Sequence, residues 1–150
     1  MKYIMMNLKK ILILLFVFSC ISCSVSKIFI INGKRMHELS GECGTIKIQG
    51  SSFKSFIIIA FDFDNEYFVD IDSLKIETYR SDMEICNLRF LSKNKKLTNT
   101  KHKFKEGESL SVTFNLTNKR ENDMISLLPS GFIKCNGKPI ITDTIDIHFR

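Results

Sequence analysis
The chain has 150 residues, with 22 Lys or Arg against 16 Asp or Glu, five Cys, thirteen Phe and no Trp. That length suits one domain, large enough to bury most of its apolar surface without needing disulfides. The net charge of +6 falls to +3 once Lys2, Lys9 and Lys10 are set aside, leaving 19 basic against 16 acidic residues, and so mild a balance gives little ground for a nucleic-acid partner.

Those three lysines belong to a start that reads as an export signal. They form a basic n-region, no acidic residue precedes Glu38, and Ile11 to Phe18 is an unbroken apolar run closed by Cys20-Ile21-Ser22-Cys23. The run is too short to span a bilayer core, which takes about 20 apolar residues as a helix. Its end resembles the lipobox of bacterial lipoprotein signals, in which the cysteine after an aliphatic, a variable and a small residue is lipidated and becomes the mature N-terminus. Val17-Phe18-Ser19-Cys20 follows that order, and Cys20-Ile21-Ser22-Cys23 follows it with a cysteine in the aliphatic place. We read Cys23 as the acceptor, because it leaves the fuller apolar stretch and is followed by Ser24, with Cys20 as the alternative. Ordinary secretory cleavage, with both cysteines incidental, is the competing reading. The expected division is therefore a signal peptide at 1–22, a short tether at 23–27 and a domain at 28–150.

From Lys27 onward the pattern is strand after strand. Ile28 to Ile31 is a β-branched and aromatic run ending at Asn32-Gly33, a pair favoured in tight hairpins. Met36 to Gly44 reads as loop. Thr45 to Ile48 alternates and is expected to break at Gly50-Ser51-Ser52. Phe56 to Phe63 has the length and the Ile and Phe content of a central strand. Asp64-Asn65-Glu66 is expected to turn it back into Tyr67 to Asp72, with Tyr67, Val69 and Ile71 on one face and a kink near Asp72-Ser73.

Met83 and Ile85 alternate with opposite parity to Leu88 and Phe90, which predicts a bulge. Leu110, Val112, Phe114 and Leu116 give the cleanest half-buried strand. Thr117 to Asp123 reads as a charged loop, Ile125 to Leu128 as a short strand, and Asn136-Gly137 as a second hairpin turn. The last strand points Ile145, Ile147 and Phe149 inward. Short strands at intervals of roughly ten residues, with no capped helical period, predict an all-β fold: an antiparallel β-sandwich, immunoglobulin-like or fibronectin-like, with a barrel as the alternative.

Beyond the signal lie Cys43, Cys86 and Cys135, so with Cys23 lipidated at most one pair forms and one thiol is left over. If Cys20 is the lipidated residue, Cys23 is also open to pairing. No C-x-x-C spacing supports a zinc or redox motif. For calcium, Asp62, Asp64 and Glu66 share a side by alternation, but Tyr67 occupies the place where an EF-hand loop requires glycine; we read them as a polar outer face with an acidic turn. Lys93, Lys95, Lys96, Lys101, Lys103 and Lys105 form the one basic run, with His102 and Phe104 among them. It is a candidate contact for anionic lipid or polysaccharide, and otherwise a solvated segment whose lysines protect an edge strand.

Catalytic material is thin. His37, His102 and His148 are the only near-neutral bases and none neighbours a nucleophile in a motif. Cys43, between Gly41 and Gly44 and close to His37-Glu38, is the least implausible nucleophile. No enzyme activity and no cofactor are expected.

By its signal and general β-domain pattern the chain resembles small cell-envelope lipoproteins of Bacteroidota-type bacteria. Asp72-Ser73-Leu74 and Asp143-Thr144-Ile145 are similar to the acceptor used there for O-glycosylation of exported proteins. The resemblance implies a membrane-tethered module that binds an envelope protein or a glycan. A secreted carbohydrate-binding or adhesion-type domain without a lipid anchor is the alternative.

Overall fold
The computed structural model describes residues 27–28, 30–31, 36–141 and 143–149. The signal peptide, both candidate lipidation cysteines and the expected Asn32-Gly33 turn lie outside them. In chain order the strands are β1 (Lys27–Ile28), β2 (Ile30–Ile31), β3 (Met36–Gly41), β4 (Gly44–Phe53), β5 (Phe56–Phe63), β6 (Tyr67–Asp70), β7 (Lys75–Thr78) and β8 (Ile85–Ser92). They continue as β9 (Lys95–Lys96), β10 (Lys101–Phe104), β11 (Ser109–Leu116), β12 (Met124–Leu128), β13 (Ile133–Cys135), β14 (Lys138–Pro139) and β15 (Ile145–His148). A single 3₁₀ turn, Ile71–Ser73, makes the expected kink.

The strands form three antiparallel sheets. The largest has the order β1-β4-β5-β11-β8-β9, with β3 also on β4; the others are β10-β6-β13-β14 and β2-β15-β12-β7. All are open and they pack together as an all-β sandwich. Alternation decides which faces meet. Ile57, Ile59, Phe61 and Phe63 of β5 and Leu110, Val112, Phe114 and Leu116 of β11 are buried, and they join Val69, Ile125, Leu127, Ile133, Ile145 and Ile147 of the smaller sheets in one core. Aromatic pairs link the layers: Phe61 meets Phe132 edge-on at 5.4 Å with the rings 71° apart, and Phe63 meets Phe104 at 5.0 Å with the rings tilted by 36°. Such pairs add roughly 0.5–1.5 kcal/mol each beyond the area they bury.

The predicted bulge is present. Thr113 pairs with Arg89 but Asn115 pairs with Cys86, so Asn87 and Leu88 together oppose Phe114, with Asn87 at φ 57°. That extra residue is what lets Ile85 and Phe90 both reach the core despite their opposite parity. The Asn136-Gly137 turn is also as expected, with φ 50° and 79° joining β13 to β14.

Three expectations are corrected. Met36 to Gly41 is a strand, because β4 pairs it along its whole length and an edge strand tolerates polar side chains. β4 does not break at Gly50-Ser51-Ser52, since β5 supplies pairing partners as far as Phe53 opposite Phe56, and Ser52 is buried. Nor does β5 turn back on itself at Asp64-Asn65-Glu66. Its flanks are already taken by β4 and β11, so the chain crosses to the second sheet, where β6 pairs with β10 and β13.

Candidate functional site
At one end of the sandwich three turns converge on a disulfide. Cys43, in the β3–β4 turn, is bonded to Cys135 at the end of β13, with the Cα atoms 6.3 Å apart, so the bridge joins the largest sheet to the second one. Gly44 follows Cys43 at φ 126°, a conformation in which L side chains are strained. It also leaves room for Asp64, which accepts a hydrogen bond from the Thr45 amide at 2.6 Å and from the Tyr67 hydroxyl at 3.2 Å. Asn65 donates to the Cys43 carbonyl at 2.7 Å. Burial first, and the Asp64 carboxylate second, push the Tyr67 hydroxyl up to about 12, so it stays a neutral donor to Asp64 across the ordinary pH range.

Beside the bridge, β3 and the β13–β14 hairpin enclose a groove of about 590 Å³. Its walls carry Glu38, Ser40, Glu42, Asn136, Lys138 and Ile140. Among the described residues only β4 pairs with β3, so the strand offers its outer edge to this groove. The arrangement suits contact with another surface, through strand-edge hydrogen bonds and mixed polar side chains.

The calcium candidates are not brought together. Asp64 is engaged as above, Asp62 accepts from Gln49 at 3.3 Å, and Glu66 forms an ion pair with Lys103 at 2.7 Å. Among the described residues no group of three or more His, Cys, Asp or Glu is arranged to hold a metal ion. Cys43 is no nucleophile, because its sulfur is spent in the disulfide. Cys86 is the one free thiol beyond the signal cysteines, and it is half-buried. His37, His102 and His148 sit on three different sheets. Ser73 ends the 3₁₀ turn and Thr144 is exposed just before β15.

The basic run divides between two sheet margins. Lys95 and Lys96 lie on β9, the edge of the largest sheet, and Lys101 and Lys103 on β10, the edge of the second. Cationic side chains there hinder edge-to-edge pairing with another molecule. Lys93 pairs with Glu108 at 2.8 Å, and that contact, with the Lys105 amide, holds the Glu108 carboxyl below its ordinary range. Phe104 is buried against Phe63 and cannot stack on a ligand.

The opposite end carries features that the sequence reading passed over. Arg80 donates to both oxygens of Asp123 at 2.9 Å, to Asp82 at 2.7 and 2.9 Å, and to the Asn118 carbonyl at 3.1 Å. This stitches the segment after β7 to the β11–β12 loop. The Arg80 hydrogen bonds lower the Asp82 carboxyl, and Asp82 in turn raises Arg80. At the β4–β5 tip, Phe53 and Phe56 are 43% and 39% exposed. The sequence signals the exposure of Phe56 alone, whose parity is opposite to that of Ile57, Ile59 and Phe61.

No family model, no curated protein and no solved structure matches this chain. Among the described residues no helix is long and apolar enough to cross a membrane.

Proposed function
We propose that the chain is a membrane-tethered cell-envelope lipoprotein, anchored through an acylated Cys23 (with Cys20 as the alternative acceptor). Its immunoglobulin- or fibronectin-like sandwich serves as a binding or structural module without catalytic activity. The observation that carries the reading is the Cys43–Cys135 disulfide. Structural disulfides form and persist in oxidising compartments, so the bridge supports, independently of residues 1–22, a chain that works outside the cytoplasm. The tying-up of Cys43 and the scattering of the three histidines favour a non-catalytic role. The rim around the disulfide, with its polar groove and open β3 edge, is the surface we assign to an envelope protein or glycan. The test is purification of the full chain from detergent-solubilised membranes. A protein partner retained in fixed stoichiometry is the expected result. A chain recovered only from the soluble extracellular fraction, binding a glycan array with no protein partner, overturns the tethered reading in favour of a secreted glycan-binding domain.

A further inference from the structure
We propose that the β4–β5 tip is a second membrane contact, which seats Phe53 and Phe56 in the headgroup region of the bilayer that holds the lipid anchor. The proposal deepens the tethered-lipoprotein reading and rests on it.

The direction of β1 supplies the geometry. β1 is antiparallel to β4, with Lys27 opposite Ser52 and Ile28 opposite Ser51. β4 runs toward the tip, so β1 runs away from it, and Lys27, where β1 begins, stands at the tip end. The four residue steps from Cys23 to Lys27 reach at most about 14 Å when extended, and the seven steps from Cys20 at most about 25 Å. The disulfide rim lies at the other end of β4, about 30 Å away at the rise of a strand. An anchor at either cysteine therefore draws the tip to the lipid and leaves the rim groove facing away from it.

The surface at the tip fits that environment. Phe53 and Phe56 are directly opposed across the two strands, so their rings share one face. Lys54 holds its ammonium 5.6 Å from the Phe53 ring centroid. An aromatic body with a cationic head beside it is the chemistry enriched where apolar chains meet headgroups. Lys119 and Arg120 from the β11–β12 loop line, with Phe53 and Lys54, a groove of about 550 Å³. The Lys119 ammonium stands 4.9 Å over the Phe149 ring, and Arg120 reaches Asp82 at 3.5 Å while remaining 70% exposed. Glu121 shares this rim, so charge is mixed there and the aromatic pair carries the contact. The lysines of the 93–105 run sit mainly toward the other end, with Lys93 paired to Glu108 and Lys103 to Glu66, and they take no part in it.

Because the chain has no Trp, a single Phe53→Trp substitution introduces the only such fluorophore. Full-length F53W, purified from membranes and reconstituted into phosphatidylcholine–phosphatidylglycerol vesicles, is compared with F56W and with F68W, whose site on β6 is exposed but belongs to the second sheet. With brominated acyl chains in the vesicles, F53W and F56W are expected to lose about half or more of their emission, as rings at the membrane interface should, while F68W loses little. Unquenched F53W and F56W on acylated chains that float with the vesicles overturn the tip contact and leave the tether standing. Chains with an unacylated N-terminus that fail to float overturn both.

Discussion

Replacing Cys43 and Cys135 together by Ala removes the disulfide that joins the largest sheet to the second. The two residues are 92 positions apart, and closing a loop of that length in the unfolded chain is worth about 4.6 kcal/mol by chain entropy alone. Stability of a typical domain is only about 5–15 kcal/mol, so the loss is a large share of the whole. For a domain of this size it corresponds to a fall of roughly 15 °C in melting temperature. The assay is guanidinium unfolding of the wild type with and without reductant, beside C43A/C135A and a Cys86→Ser control. Reduced wild type and the double variant are expected to share a lowered midpoint, with C86S unchanged. Peptide mapping of the oxidised protein should link Cys43 to Cys135 and leave Cys86 alkylatable. Equal midpoints in all four samples, or a bridge that includes Cys86, refute the reasoning.

The turn chemistry at the same rim is expected to be stiff. Gly44→Ala places a Cβ 2.6 Å from an Asp64 oxygen in a backbone region at φ 126°, and such strain costs on the order of 1–3 kcal/mol; a wild-type unfolding midpoint would contradict it. Tyr67 is protonated more tightly in the folded state, at about 12 against an ordinary 10.0. Its contribution is thus fully present below pH 10 and lost as the pH rises toward 12. Tyr67→Phe should flatten that alkaline limb, and an unchanged limb would count against the burial and the Asp64 contact that together raise the hydroxyl. Asp82 has the opposite sign: its carboxyl is lowered by Arg80, so its contribution holds above the ordinary carboxylate range and fades as the pH falls through it. Asp82→Asn should therefore destabilise the protein at neutral pH and narrow its difference from the wild type in acid, as followed by thermal melts across pH.

What the sequence made legible was the part governed by local periodicity. The alternation from Leu110 to Leu116, the apolar run of β5, the parity switch between Ile85 and Phe90, and Asn136-Gly137 each state their role within a few residues. Features fixed by distant partners were not legible. Met36 to Gly41 is a strand only because β4 lies beside it, Ser52 is buried only because β5 covers its strand, and Cys43 finds Cys135 rather than Cys86 through the meeting of two sheets. The candidate rim was partly visible, since Cys43, Gly44 and Asp64 all drew notice, but as a nucleophile and a cation ligand. Their real partners are a second sulfur, a backbone amide and a tyrosine hydroxyl. The tip was missed for a different reason. An exposed Phe53 or Phe56 is unremarkable alone and acquires meaning only from the direction in which β1 enters the sheet.

The tethered-lipoprotein account is tested most directly by the mass of the N-terminal tryptic peptide from membrane-fraction protein. A peptide of Cys23 to Lys27 carrying diacylglycerol on the cysteine is the predicted result, with Cys20 to Lys27 as its counterpart if the upstream cysteine is the acceptor. A free, unacylated N-terminus in that region would contradict the account.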